Sequence, residues 1–171
     1  MFKLVGILGL VLAMGLLGVL KAEQLKARIK ALEEFMKMGL LLKSKINYLH
    51  EPLTYIFTRE SVQEENRALL LLHESFAEAG QKGGQISQIW AQKADELYKT
   101  SALNNADMEC IKYLGSFIGQ TDYENQIYQF EYLEKMLQSQ IKDATDEYKS
   151  KGPLYRKLGF FAGALIGIVL I

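Results

Sequence analysis

Residues 4–20, LVGILGLVLAMGLLGVL, decide how this chain folds, because they form a long apolar run without a charged side chain. A second uncharged stretch, residues 158–171 (LGFFAGALIGIVLI), lies at the other end of the chain. A lipid bilayer accepts uncharged helices, whose backbone groups are hydrogen-bonded internally. The two stretches therefore predict an N-terminal membrane helix at 1–22 and a C-terminal one at 154–171, around a polar domain at 23–153.

The first stretch has an alternative interpretation as a cleavable signal peptide, because Lys3 precedes the apolar run. Leu20 is bulky where a signal peptidase needs a small residue, and the helical pattern continues without a break into Gln24 and Leu25. These features favour a retained membrane anchor.

Basic residues lie on the inner side of both apolar stretches, with Lys3 alone on the outer side. They are Lys21, Lys26, Arg28 and Lys30 after the first stretch, and Lys149, Lys151, Arg156 and Lys157 before the second. The positive-inside rule then predicts a cytoplasmic central domain and both termini on the opposite side of the cell membrane. The C-terminal stretch amounts to about 21 Å of helix against about 30 Å of hydrocarbon, so it either spans marginally or inserts partway, braced by the first.

Small residues are frequent in both apolar stretches. Gly159, Gly163 and Gly167 recur at every fourth position, which predicts a helix face that a second helix backbone can approach closely. The spacing leaves open whether that helix belongs to the same chain or to another, so a homo-oligomer is one of the alternatives.

The central region repeats apolar residues at helical spacing and shows no strand-like alternation. Its two longest stripes are Leu25, Ile29, Leu32, Met36, Leu40 and Ile46, and later Ile127, Phe130, Leu133, Leu137, Ile141, Ala144 and Tyr148. Helix ends are expected at Pro52, at the glycines 80, 83, 84 and 119, and at Gly152-Pro153. Helix starts are expected at the capping boxes Ser61/Glu64 and Thr121/Glu124. A short helix is expected at 53–59. The sequence thus predicts an all-α fold, an antiparallel bundle of five to six helices flanked by the two apolar membrane helices.

Catalytic signatures are missing from the sequence. Twenty basic and twenty acidic residues give a net charge of zero, which provides no electrostatic footprint for nucleic acid. His50 and His73 stand apart, Cys110 fits a core position, and no zinc spacing, phosphate loop or nucleophile elbow occurs. Acidic pairs such as Asp107 with Glu109 are explained by solvated helix faces and N-caps. We therefore expect no enzyme, no cofactor and no metal.

Three passages, in this order, resemble one family. They are residues 46–53 (INYLHEPL); a block comprising 89–90 (IW), 98–103 (YKTSAL), 114–122 (LGSFIGQTD) and Gln126; and residues 155–163 (YRKLGFFAG). Their order and spacing, and the total length, resemble the stage III sporulation protein AB family, which is itself similar to the helical cytoplasmic domain of type II secretion and type IV pilus F proteins. The chain departs from the family in its Lys/Glu-rich first helix and in Lys45, where an acidic residue is common.

The resemblance implies a non-enzymatic scaffold in the sporulation channel between mother cell and forespore. Such a subunit would lie on the mother-cell side of the engulfing membrane and dock a secretion-type cytoplasmic ATPase to membrane partners. The motif positions that we expect to matter for partners are Tyr48, Pro52, Leu53, Leu114, Gly115, Gly119, Thr121 and Asp122. The same residues also fit plain structural roles as core positions, helix stops and caps. The alternatives are a membrane-tethered helical domain that senses a ligand or cation, and a secretion-related or phage-type membrane protein unconnected with sporulation.

Overall fold

In the computed structural model, the structure describes residues 2–49, 66–118 and 123–169, and the regular structure in these ranges is entirely α-helical. The helices are α1 (Phe2–Leu49), α2 (Arg67–Lys82), α3 (Ile86–Thr100), α4 (Asn105–Phe117) and α5 (Tyr123–Val169). The predicted all-α class is confirmed. The expected short helix at 53–59 and the capping-box residues Ser61, Glu64 and Thr121 lie outside the described residues.

The chain divides into two compact units. A terminal unit comprises residues 1–29 and 142–171, and a central unit comprises residues 30–141. Helices α1 and α5 contribute to both units, whereas α2, α3 and α4 belong to the central unit alone. The predicted domain boundaries at residues 22 and 153 stay a prediction.

In the terminal unit, the first part of α1 packs antiparallel to the last part of α5. Within the described ranges, one helix is long and apolar enough to cross a membrane, the part of α1 from Gly6 to Asn47, and only 11% of its most apolar window is buried. The prediction of two flanking membrane helices is therefore met at the N-terminus only. The described C-terminal apolar run, 158–169, is shorter than the roughly 20 residues of a spanning helix, and it continues directly from a charged part of α5.

The expected helix end at Gly152-Pro153 is wrong, because α5 continues through Pro153 to Val169. A proline inside a helix removes one backbone hydrogen bond and costs about 3 kcal/mol. The segment after Pro153 packs closely against α1 through Gly159 and Gly163, and these contacts hold the chain helical beyond the proline.

The core of the central unit is built around Trp90 on α3. Its ring is buried, and its indole N–H donates a hydrogen bond to the carbonyl oxygen of Ile111 at 2.7 Å. The rings of Trp90 and Phe35 on α1 form a T-shaped pair with centroids 6.4 Å apart. A buried indole needs a partner for its single donor, and the Ile111 carbonyl provides one. This arrangement ties α3 to α4.

The predicted stripes are partly correct. Buried members of the α5 stripe include Phe130, Leu133 and Leu137, but Leu40 of the α1 stripe is exposed, and Phe35, Met38 and Leu42 are buried instead. Four consecutive leucines at 69–72 predict burial on more than one side of α2. Leu69 and Leu72 are buried, whereas Leu70 is exposed and Leu71 half-buried at the rim of a groove between α2 and α3.

Short polar residues fix the ends of the central helices. The Asn66 side chain accepts from the backbone N–H groups of Ala68 and Leu69 at the start of α2. Asn104 and Asp107 form a reciprocal capping box, with both hydrogen bonds 2.9 Å long. Gly83 follows α2 at φ 69°, a left-handed conformation that favours glycine.

Candidate membrane and assembly surface

The predicted glycine face on α5 is a contact surface with α1 of the same chain. A Cβ atom on Gly159 would lie 2.6 Å from the Met14 carbonyl oxygen, and one on Gly163 would lie 2.9 Å from the Val11 Cα. A Cβ on Gly167 would lie 2.9 Å from Cγ2 of Ile7. At Gly159 and Gly163 the neighbouring atoms belong to the α1 backbone and leave no room for a side chain, so the two backbones approach closely there.

On α1, Gly18 is the counterpart of this face. A Cβ there would overlap the Tyr155 carbonyl oxygen and lie 3.1 Å from the Gly159 Cα. Gly6, Gly9 and Gly15 have no such neighbours. All of these glycines look alike in the sequence, and only the register of the two helices distinguishes Gly18 from the rest.

Large apolar side chains of the terminal unit point outward. Of the twenty exposed large apolar side chains among the described residues, fourteen lie in this unit. They are Leu8, Leu12, Leu16, Leu17, Val19 and Leu20 on α1, and Leu154, Leu158, Phe160, Phe161, Leu165, Ile166, Ile168 and Val169 on α5. Glycine inside and leucine or phenylalanine outside is the reverse of a water-soluble helix pair, and it is typical of helices surrounded by lipid.

Ion pairs join the same two helices next to the inner ends of the apolar stretches, on the side of the central unit. Glu23 on α1 contacts Arg156 on α5 at 3.0 Å, and Arg28 on α1 contacts Glu147 on α5 at 3.0 Å. Arg28 is buried, and Glu147 also accepts a hydrogen bond from Lys151 at 2.8 Å. That hydrogen bond, together with the positive charges of Lys151 and Arg28, outweighs burial and lowers the pKa of Glu147. From the sequence, these basic residues predicted only the orientation of the chain in the membrane. Their pairing with Glu23 and Glu147 could not be predicted.

Among the motif residues of the central unit, Leu114 and Gly115 are buried on α4. A Cβ on Gly115 would overlap Cδ1 of Trp90 and lie 2.9 Å from its Cγ. Leu114 is thus a core position, and Gly115 lies directly against the Trp90 ring. Tyr48 lies in the last turn of α1, with its side chain outside the described part, and Pro52, Leu53, Gly119, Thr121 and Asp122 also fall outside the described residues.

A group of tyrosines on α4 and α5 forms an exposed aromatic surface, which we call the tyrosine surface and define as Tyr113, Tyr128 and Tyr132. Tyr128 is 68% exposed and Tyr132 is 49% exposed. The rings of Tyr113 and Tyr132 meet edge to face at 5.4 Å, and the Tyr113 hydroxyl bonds to the Gln129 side chain. Burial, reinforced by the neighbouring Tyr132 and Tyr128, raises the pKa of Tyr113. No motif or spacing in the sequence singled out this surface.

Cys110 and Asp107, the described residues that could act as a nucleophile or a metal ligand, are both buried in the helical core. Cys110 is buried, and burial together with the nearby Asp107 carboxylate raises its pKa to about 11. Asp107 is buried at the third position of α4, where it forms a capping box with the N-cap residue Asn104, so helix capping rather than a solvated helix face explains it. In the described ranges, no group of three or more His, Cys, Asp or Glu is placed to hold a metal ion.

Comparison with known proteins agrees with the resemblance drawn from the three passages. The model of the family described as stage III sporulation protein AB matches residues 3–171. A curated relative, "Stage III sporulation protein AB" of Bacillus subtilis (strain 168), is 23% identical over 172 residues, covering 100% of both chains. No solved structure matches this chain. Because the family match extends over nearly the whole sequence, the chain belongs to the stage III sporulation protein AB family.

Proposed function

We propose that this chain is a non-enzymatic, membrane-anchored assembly subunit of the sporulation channel between mother cell and forespore. It docks a secretion-type cytoplasmic ATPase to the membrane subunits of that channel. The observation that carries the proposal is the terminal unit, in which glycines pack two helices together and large apolar side chains face outward. The family describes a stage of sporulation rather than a reaction, which is consistent with a structural role.

In this proposal the N-terminal part of α1 crosses the membrane, and the C-terminal part of α5 enters partway along it. The C-terminal apolar run is too short to span on its own. Its close packing on α1 satisfies one side of the helix, and its exposed Phe160, Phe161 and Leu165 side chains contact lipid. The central unit then lies in the cytoplasm on the mother-cell side, with both termini toward the opposite side.

The tyrosine surface is the face that we assign to the ATPase. Tyrosine is enriched where proteins bind one another, because its rigid ring provides a large contact area and its hydroxyl a hydrogen bond. Tyr128 and Tyr132 project from α5 into solvent, while Tyr113 beneath them is fixed by its hydrogen bond to Gln129. The contacts of Tyr113 with Tyr132 and Gln129 order this part of the surface in advance, which lowers the entropy lost on binding.

Crosslinking and affinity purification from membranes of sporulating cells test the proposal. We expect the ATPase and other membrane subunits to be recovered with the intact chain, and detergent to be required for extraction. The double variant Tyr128→Ser/Tyr132→Ser should lose the ATPase but keep the membrane subunits. Tyr98→Ser, at an exposed tyrosine on α3, is the matched control and should retain both. Recovery of the intact chain without detergent, or without any channel subunit, would contradict the proposal.

Orientation has a separate test. In a Cys110→Ser background, Lys99→Cys places a thiol at an exposed position of the central unit, and Lys3→Cys places one beyond the first apolar stretch. An impermeant maleimide should label residue 3 in intact cells, and residue 99 only after lysis. Labelling of residue 99 in intact cells would show that the central unit is on the other side.

A further inference from the structure

The neutral net charge of the chain conceals a division between its two units. The terminal unit, residues 1–29 and 142–171, contains nine Lys and Arg against four Asp and Glu, a formal charge of +5. The central unit, residues 30–141, contains eleven against sixteen, a formal charge of −5. Positive charge is therefore concentrated in the unit that contains the apolar stretches.

Ion pairing within the terminal unit leaves several of these cations exposed. Glu23 pairs with Arg156, and Glu147 pairs with both Arg28 and Lys151. Four further lysines near the apolar stretches are exposed, and the structure gives them no ion pair with any described residue. We define this set, Lys21, Lys26, Lys149 and Lys157, as the basic collar.

The helix register places the basic collar at the boundary of the apolar surface. Gly18 lies against Gly159, so the inner ends of the two apolar stretches, at Leu20 and Leu158, lie close to the same level. Lys21 and Lys157 directly adjoin that level. At about 1.5 Å per residue, Lys26 lies about 9 Å and Lys149 about 14 Å from it.

Headgroups occupy roughly 5–8 Å on each side of the hydrocarbon layer, and flexible lysine side chains reach toward them. Lys21 and Lys157 therefore lie at the headgroup layer, and Lys26 and Lys149 lie within roughly one Debye length, about 8 Å at physiological ionic strength, of its outer edge. The remaining acids, Asp143 and Asp146, lie about 18 Å or more from the boundary, farther from it than each of the four collar lysines.

We propose that the basic collar binds the phosphate groups of anionic phospholipids, so that the terminal unit selects acidic lipid as its immediate neighbours. This inference rests on the membrane anchoring in the proposed function and adds a lipid class to it. Each lysine near an acidic leaflet favours binding by about five-fold at moderate salt, and salt screens the effect. Four lysines together should give a clear preference over zwitterionic lipid.

Spin-labelled lipids in vesicles that contain the full chain test this preference. The motion-restricted fraction of spin-labelled phosphatidylglycerol is compared with that of spin-labelled phosphatidylcholine, first at 0.1 M and then at 1 M salt. We expect the relative association constant to favour phosphatidylglycerol several-fold at low salt and to approach one at high salt. Inorganic phosphate added at constant ionic strength should leave the preference unchanged; its loss there would assign the collar to free phosphate and overturn the proposal.

Two sets of variants distinguish the effect of the basic collar from the effect of the net charge of the chain. Replacing all four collar lysines with glutamine should remove the preference. The control replaces four lysines of the central unit, Lys37, Lys45, Lys99 and Lys135, with glutamine and should retain it. If the original chain restricts phosphatidylglycerol and phosphatidylcholine to the same extent, the proposed lipid selection by the basic collar is overturned, while membrane anchoring still holds. No motion-restricted lipid of either kind would overturn the anchoring as well.

Discussion

Gly163 on α5 and Val11 on α1 are in backbone contact, since a Cβ atom on Gly163 would lie 2.9 Å from the Val11 Cα and 3.1 Å from its carbonyl oxygen. A close approach of this kind removes lipid from between the helices and increases van der Waals contact along the pair. The contact is one step in a series that runs from Ile7–Gly167 to Gly18–Gly159. The terminal unit therefore depends on glycine at particular positions, and this dependence is directly testable.

Gly163→Leu should separate the two helices, because the new side chain overlaps backbone atoms that cannot rotate away. We expect a cost of roughly 1–3 kcal/mol to the packing of α1 on α5. Glu23→Cys and Arg156→Cys in a Cys110→Ser background replace side chains that are 3.0 Å apart, and a short bismaleimide should link them. Gly163→Leu should reduce this crosslink.

Gly9→Leu is the matched control for that substitution. A Cβ atom on Gly9 would have no other atom within 4 Å, so a leucine there extends into open space. Crosslinking should stay as in the original chain, and assembly of the proposed channel complex should fail only in Gly163→Leu. Equal crosslinking in both variants would show that the close approach is dispensable.

Gly115→Ala should destabilise the central unit. The added methyl group overlaps the Trp90 ring, and that ring is held in place by its 2.7 Å hydrogen bond to the Ile111 carbonyl. Overpacking of a core by one methyl group typically costs about 1–3 kcal/mol, so the urea midpoint followed by circular dichroism should fall.

Gly80→Ala provides the opposite expectation within the same unit. Gly80 lies inside α2 with open space where a Cβ would stand, and alanine is preferred over glycine in a helix by about 0.5–1 kcal/mol. The urea midpoint should rise. A decrease for both variants would point to a general intolerance of substitution rather than to the contact with Trp90.

Acid should weaken the terminal unit through Glu147. Its pKa is lowered in the folded protein, first by the hydrogen bond from Lys151 and then by the charges of Lys151 and Arg28. A carboxyl group with a depressed folded pKa stabilises the fold above its ordinary value of 4.5, and this contribution is lost as pH falls from there through the folded pKa. Melting temperatures in detergent between about pH 3 and pH 7 measure the loss.

Glu147→Gln should flatten that acid dependence and lower stability at neutral pH. Asp146→Asn, at an exposed neighbouring carboxylate, should leave the pH profile unchanged. An unchanged profile in Glu147→Gln would show that another carboxyl group is responsible.

Cys110 should be inert toward Ellman's reagent at pH 8. Burial and the charge of Asp107 raise its pKa to about 11, so the thiolate that reacts is scarce, and the side chain is inaccessible. One thiol should appear after unfolding, whereas Gln81→Cys, on the exposed end of α2, should add one that reacts in the folded state. Rapid reaction of the original folded chain would contradict the buried placement.

The helices were predictable from the sequence because apolar periodicity is a local property. The same holds for the glycine face, whose spacing of four residues is visible in any helical projection. Pro153 shows where local rules fail: the rule that proline ends a helix is outweighed by close packing of the following turns on α1, which involves residues more than 140 positions away. Gly18 became distinguishable from Gly15 only when the register of the two helices was known.

The outcome for the candidate site has a similar cause. Leu114 and Gly115 were identified by resemblance, which gives no reason for a motif position. In the structure Leu114 is buried and Gly115 lies against the Trp90 ring. The tyrosine surface combines α4 with α5, and the ion pair between Arg28 and Glu147 joins residues 119 positions apart. Neither feature can be predicted from the periodicity of one helix, because each joins residues of two helices.

The placement of Trp90 has a practical consequence for spectroscopy. It is the only tryptophan in the chain, its indole is 1% exposed, and it belongs to the central unit. Intrinsic fluorescence excited at the red edge therefore reports on one unit alone: emission should be blue-shifted in the native protein and move to longer wavelength on denaturation. Adding lipid should leave that emission unchanged. Any shift of the emission during reconstitution would therefore report a change in the fold of the central unit.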